Sequence, residues 1–198
     1  DVFSLDGNRL IGSIATGYST SLETFSKIIV ISSNQYGPVS FLVETKDGLL
    51  IEFGCTPDSR MQHSQNSNYI LAYYVNKVSD RFGNYYTYTY TSDPAKGLFR
   101  LQRIEYTGNS QMSINPYNKI IFVYETKPAE FTNSKFLLGS KFSNAELLRE
   151  IRIESEGSVF HKYVFTYSAQ NGFVHLISVD EYNKDGDSYN SSVFNWSS

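Results

Sequence analysis

VSDRFGNYYTYTY, residues 78–90, is the stretch on which the fold of this chain turns. The backbone reverses at Phe82-Gly83-Asn84, and aromatic and β-branched residues then alternate, the period-two signature of a strand with two chemically different faces. Tyr86, Tyr88 and Tyr90 fall on one face; Thr87, Thr89 and Tyr85 fall on the other. Two uses suit such a strand: a half-buried structural element, or an aromatic platform for a ligand.

The outline returns along the chain in residues 75–90, 101–125, 148–167 and 176–196. Each unit opens with an aliphatic residue and has Val or Ile three positions later: Val75 with Val78, Leu101 with Ile104, Leu148 with Ile151, Leu176 with Val179. A turn glycine follows, assigned to Gly83, Gly108, Gly157 and Gly186, and then an alternating strand that closes on an aromatic. Hairpins repeated in series predict an all-β fold, with antiparallel hairpins stacked side by side into a continuous sheet or a sandwich. In this alignment Tyr86, Tyr88 and Tyr90 stand where Ile121 and Val123, or Tyr163, Phe165 and Tyr167, stand elsewhere. Positions that exchange aliphatic for aromatic residues are packing positions, and truncating Tyr88 or Phe165 to Ala is expected to cost about 3–5 kcal/mol if they are core.

Outward from the repeats, GPVSFLVETKDGLLIEFG (37–54) reads as one more hairpin. Val39, Phe41 and Val43 point inward, Asp47-Gly48 turns, and Leu49, Ile51 and Phe53 return. Residues 56–68, TPDSRMQHSQNSN, are polar and aperiodic, which predicts a long loop and a sub-boundary near 55–68 within one all-β domain spanning 1–198. SNAELLREI from Ser143 has capping-box spacing and predicts at most one short helix.

Composition narrows the classes. The chain has 198 residues, 40% hydrophobic and 16% aromatic, with 16 Tyr and 14 Phe, enough to bury a core without staples. A net charge of -3 with interspersed signs gives no nucleic-acid footprint, and no apolar run approaches the ~20 residues of a membrane-spanning helix. The lone Cys55 excludes an internal disulfide framework and multi-cysteine metal sites. Starting at Asp1 without an initiator Met and ending after VFNWSS, the chain reads as a piece of a longer protein.

The units, together with SLDGNRL (4–10), VETKDGLLIEFG (43–54), LQRIEYTGN (101–109) and the closing VFNW, resemble the SpvB/TcaC-type amino-terminal region of B components of bacterial insecticidal toxin complexes, relatives of the Rhs and YD-repeat proteins. The resemblance implies a non-enzymatic structural domain, secreted or at the bacterial surface, forming part of a shell that encloses or delivers a toxic cargo. Its partners would be the remaining domains of the parent chain and a toxin-complex protein, with no cofactor and no metal. The polar stretch at 56–68 and the irregular insert near Thr126 to Asn144 depart from the family pattern.

Four other chemistries are weighed against that reading. Ser19-Thr20-Ser21 and Glu154-Ser155-Glu156 offer the parts of an ADP-ribosyl transferase, but they lie far apart and the acids sit on a hairpin turn. Cys55 would need one of His63, His161 or His175 beside it to act as a nucleophile, and reads better as a small packed residue. NKDGDSYN (183–190) alternates Asn183, Asp185 and Asp187 but fails the EF-hand spacing, so the Asp-Gly pair reads as a turn. Glycan binding is the alternative of a different class, with Tyr73, Tyr74 and Tyr85 as its candidates and NYILAYY (68–74) as the place to look.

Overall fold

The computed structural model describes residues 2–170 and 172–196. Its first six strands are β1 (Ser4–Leu5), β2 (Asn8–Ser13), β3 (Gly17–Thr20), β4 (Lys27–Asn34), β5 (Gly37–Glu44) and β6 (Leu50–Phe53). A short hairpin, β7 (Arg60–Gln62) with β8 (Ile70–Tyr73), stands apart from them, and the chain then continues through β9 (Val75–Ser79), β10 (Asn84–Asp93), β11 (Leu98–Asn109) and β12 (Asn118–Thr126). A second separate hairpin, β13 (Asn133–Leu137) with β14 (Ser140–Asn144), precedes β15 (Glu146–Ser155), β16 (Ser158–Gln170), β17 (Phe173–Tyr182) and β18 (Ser188–Val193). Apart from the two small hairpins, all strands join one antiparallel 14-stranded sheet in chain order, β6 pairing directly with β9 and β12 with β15. Of the two architectures open to the sequence, the single continuous sheet is the one formed. The repeat units correspond to the hairpins β9–β10, β11–β12, β15–β16 and β17–β18.

Turn chemistry sets several registers. Thr45, Asp80 and Asn183 each close a three-residue loop, with backbone bonds Gly48 N to Thr45 O at 2.9 Å, Gly83 N to Asp80 O at 3.2 Å and Gly186 N to Asn183 O at 3.2 Å. Gly83 and Gly186 take φ of 80° and 87°, a left-handed backbone that favours glycine. Asn183 Oδ1 accepts the backbone N–H groups of Asp185 and Asp187, both at 2.9 Å, so the acidic run 183–190 is occupied with making its turn. Gly108 is not a turn residue: it lies within β11 opposite Tyr85, and a Cβ there would come within 2.5 Å of the Tyr85 ring.

The loop assigned to 56–68 contains a 3₁₀ turn, Pro57–Ser59, and the strand β7, anchored where Asp58 Oδ2 accepts the Tyr90 N–H at 2.8 Å. The helix expected from Ser143 is absent: the segment forms the end of β14 and the start of β15, and the described residues contain no α-helix. Leu148 and Ile151 are drawn into the sheet opposite Tyr124 and Phe122, and this cross-strand pairing outweighs the local helix propensity of SNAELLREI.

Burial is concentrated at the amino-terminal end. Ile28, Phe41 and Val43, exposed by 2%, 6% and 4%, form the buried cluster, with Ile51, Phe53 and Tyr73 among the residues packed on it. Val39, expected to point inward with Phe41, is instead the extra residue of a bulge against β4. Tyr88 and Phe165 are half-buried rather than enclosed, so the full core penalty expected for their truncation does not apply.

Candidate functional site

The spacing of three between the aliphatic residues of each unit has one structural cause. Residues three apart in a regular strand face opposite ways, but an inserted residue restores them to the same face. The inserted residues are Asn76 between β9 and β6, Gln102 between β11 and β10, Arg149 between β15 and β12, and Ile177 between β17 and β16. Every repeat unit therefore begins with a β-bulge. A bulge disrupts the ladder, and in each unit the closing aromatic reaches back to the carbonyl of the residue before it. Tyr90 Oη donates to Val75 O at 2.8 Å, Tyr124 Oη to Leu101 O at 2.9 Å, Tyr167 Oη to Leu148 O at 2.8 Å, and Trp196 Nε1 to Leu176 O at 2.8 Å. Tyr73 Oη makes the same bond to Pro38 O, at 2.6 Å, beside the bulged Val39. Burial holds these phenols in their donating form, pushing Tyr73 up to about 12 and raising Tyr90, Tyr124 and Tyr167 above the ordinary range.

The bulges sort the side chains of the sheet onto two unlike faces. Directly opposed residues share a face, so Tyr88, Ile104, Ile120 and Ile153 form one unbroken apolar row across β10, β11, β12 and β15, which ends on His161 of β16. On the reverse, Thr87, Glu105, Lys119 and Glu154 form a polar row laced by Arg103–Glu105 and Lys119–Glu105 ion pairs at 3.0 and 3.5 Å. Ile121 and Val123 belong to this polar side; the residues equivalent to Tyr88 and Tyr90 are Phe122 and Tyr124, a one-residue slip that exchanges the faces.

A cleft of about 810 Å³ opens at the amino-terminal end, over the apolar face of β4–β6 and beneath the β7–β8 hairpin. Phe41, Phe53 and Tyr73 line its floor, and Tyr36, Tyr69 and Leu138 its rim. The two off-sheet hairpins are stitched together there. His63 Nδ1 accepts the Gln65 N–H at 3.1 Å, leaving Nε2 to donate to Leu138 O at 3.2 Å, while Ser64 N donates to the buried Ser140 Oγ at 2.9 Å.

The three candidate tyrosines are not brought together. Tyr73 lines the cleft with its ring 4.9 Å from Phe41. Tyr74 is stacked on Phe99 at 4.3 Å in an aromatic row with Tyr90. Tyr85 lies on the polar face under Lys77, 4.8 Å from its ring centre. No signal in the sequence marked Tyr36 as their companion at the cleft; its contact with Tyr69 joins two hairpins that are far apart in the chain.

Cys55 has no histidine beside it. Its N–H bonds to Asn76 Oδ1 at 2.9 Å, and burial, then the Glu52 carboxylate, pushes the thiol above its ordinary 9.0. A raised thiol pKa means less thiolate at neutral pH. Iodoacetamide should therefore alkylate Cys55 more slowly than free cysteine at pH 8, with a rate still climbing through pH 9; a midpoint at or below about 8.5 would contradict the burial argument.

The family model of the Salmonella virulence plasmid 65kDa B protein, SpvB, matches residues 14–172. The chain belongs to the SpvB family. No curated protein matches it. Among solved structures, the N-terminal domain of effector protein SpvB from Salmonella typhimurium strain LT2 is similar with a TM-score of 0.69 at 13% identity, covering 96% of this chain and 71% of that one. The Photorhabdus luminescens Tc holotoxin pore is similar with a TM-score of 0.70 at 14% identity, and TcdB2-TccC3 with 0.69 at 14%, each covering 95% of this chain. This SpvB-family chain spans 12% of the length of those two toxin-complex chains, and at such identities the likeness is one of fold.

In this SpvB-family sheet the transferase parts stay apart. Ser19 and Thr20 lie in β3, Glu154 in β15, and seven strands of the sheet separate them; Glu156-Gly157 forms the two-residue turn between β15 and β16. Among the described residues no three His, Cys, Asp or Glu side chains gather as a metal site, and no helix is long and apolar enough to cross a membrane.

Proposed function

We propose that this domain is a non-catalytic wall segment of a secreted bacterial toxin-complex-related protein, whose continued hairpins enclose a cargo. The observation that carries the reading is the bulge and aromatic cap repeated in every unit of an open sheet. Bulges bend the strand that holds them and increase its twist, so a bulge at the start of each unit curves the sheet in a regular way. Such a curved layer separates an apolar side from a charged side, which suits a wall and needs no chemistry.

The sheet also ends on an open edge. All of β18 is exposed, with one row of backbone groups unpaired by β17. In the intact parent protein another hairpin would cover it. Amide hydrogen exchange across Ser188–Val193 is expected to be fast in the isolated chain and strongly slowed in the parent. Equal, fast exchange in both would sink the wall reading.

A further inference from the structure

We infer that the amino-terminal cleft is a binding site for an uncharged oligosaccharide. The inference does not rest on the wall reading, because the cleft is complete within residues 2–138. Its volume, about 810 Å³, lies in the range of small-ligand sites.

The chemistry of the lining selects the ligand. A sugar ring offers a face of C–H groups and a rim of hydroxyls, so it needs aromatic surface flanked by planar polar side chains. Tyr36 and Tyr69 supply the surface at the rim, 39% and 49% exposed, their rings 5.3 Å apart and edge to face. A tyrosine combines an apolar ring with a hydroxyl that both donates and accepts. Asn34 and Asn68 flank them in the lining. Asn34 uses its Oδ1 on the Tyr36 N–H at 2.8 Å, which leaves its amide donors for a ligand hydroxyl.

Charge and polarity exclude the neighbouring ligand classes. Among the described residues no Lys or Arg lines the cleft, Asp6 is the one carboxylate, and both His63 ring nitrogens are engaged by Gln65 and Leu138, so phosphorylated, sulfated or carboxylated ligands find no free counter-charge. A purely apolar ligand would cover the Asn34 and Asn68 amides without pairing them, a loss that a polyhydroxylated ligand avoids. Both rim segments come from outside the repeats, Tyr36 from the β4–β5 turn and Tyr69 from the β7–β8 loop, so the site can vary without disturbing the sheet.

Saturation-transfer NMR on the 198-residue chain would use maltotriose, cellotriose, chitotriose and lactose as probes, with Nile red as the apolar comparison. Transfer to at least one saccharide is expected, weakened about tenfold or more by Tyr36→Ala and by Tyr69→Ala and unchanged by Phe173→Ala, an exposed residue outside the cleft. Both rim tyrosines are exposed enough for the variants to keep the wild-type circular dichroism. Absence of transfer from all four saccharides would overturn the inference, as would transfer that survives both substitutions. Nile red binding without any saccharide transfer would also overturn it, in favour of an apolar small molecule.

Discussion

Phe41→Ala is expected to lower the unfolding free energy by about 3–5 kcal/mol, the range for truncating an enclosed phenylalanine. Phe41 is 6% exposed and sits at the centre of an aromatic cluster, its ring 5.7 Å from Phe3, 6.2 Å from Tyr18 and 4.9 Å from Tyr73, in edge-to-face arrangements. Such pairs each add about 0.5–1.5 kcal/mol beyond the area they bury. The gap left by the ring adjoins the cleft, so it becomes part of an open space and cannot be filled by collapse of one neighbour. Tyr88→Ala removes a half-buried ring from the open apolar face and is expected to cost clearly less than Phe41→Ala. Urea unfolding of both variants separates the cases; equal losses would mean that the apolar face of the repeats is as well covered as the amino-terminal core.

That contrast explains what the sequence made legible. Alternation and turn chemistry are local, so VSDRFGNYYTYTY announced its strand and its turn, which the structure closes one residue earlier, at Arg81-Phe82-Gly83. The bulges are also written in the sequence, as aliphatic residues three apart, but a helix uses the same spacing. In SNAELLREI a capping-box pattern and a bulged strand are indistinguishable until Leu148 and Ile151 are seen opposite Tyr124 and Phe122. Alternation alone also leaves the phase of a strand open by one residue, and for β12 this put Ile121 and Val123 in the places held by Phe122 and Tyr124. Hairpins β7–β8 and β13–β14 have little core-facing pattern to read: every residue of β13 is exposed. The cleft depends on these hairpins meeting through His63 and Leu138, 75 positions apart in the chain, a contact that periodicity does not encode.

Replacing Tyr90, Tyr124 and Tyr167 together with Phe is expected to cost about 3 kcal/mol, roughly 1 kcal/mol for each lost hydrogen bond to a bulge carbonyl. The three lie two strand spacings apart, about 10 Å, far enough for their effects to add. Phe keeps the ring packing, so the loss isolates the hydroxyl, and Tyr117→Phe, an exposed position, should change stability by less than about 0.5 kcal/mol. Alkali gives a second readout. Burial raises all three phenols above the ordinary 10.0, so the protonated form is favoured more in the folded than in the unfolded chain. Their contribution is complete below pH 10 and is lost as pH rises through the folded values. The wild type should therefore lose stability more steeply than the triple variant above pH 10. A triple variant no weaker than Tyr117→Phe, with an unchanged alkaline slope, would mean that the bulge carbonyls are satisfied by solvent and that ring packing alone fixes the register of the repeats.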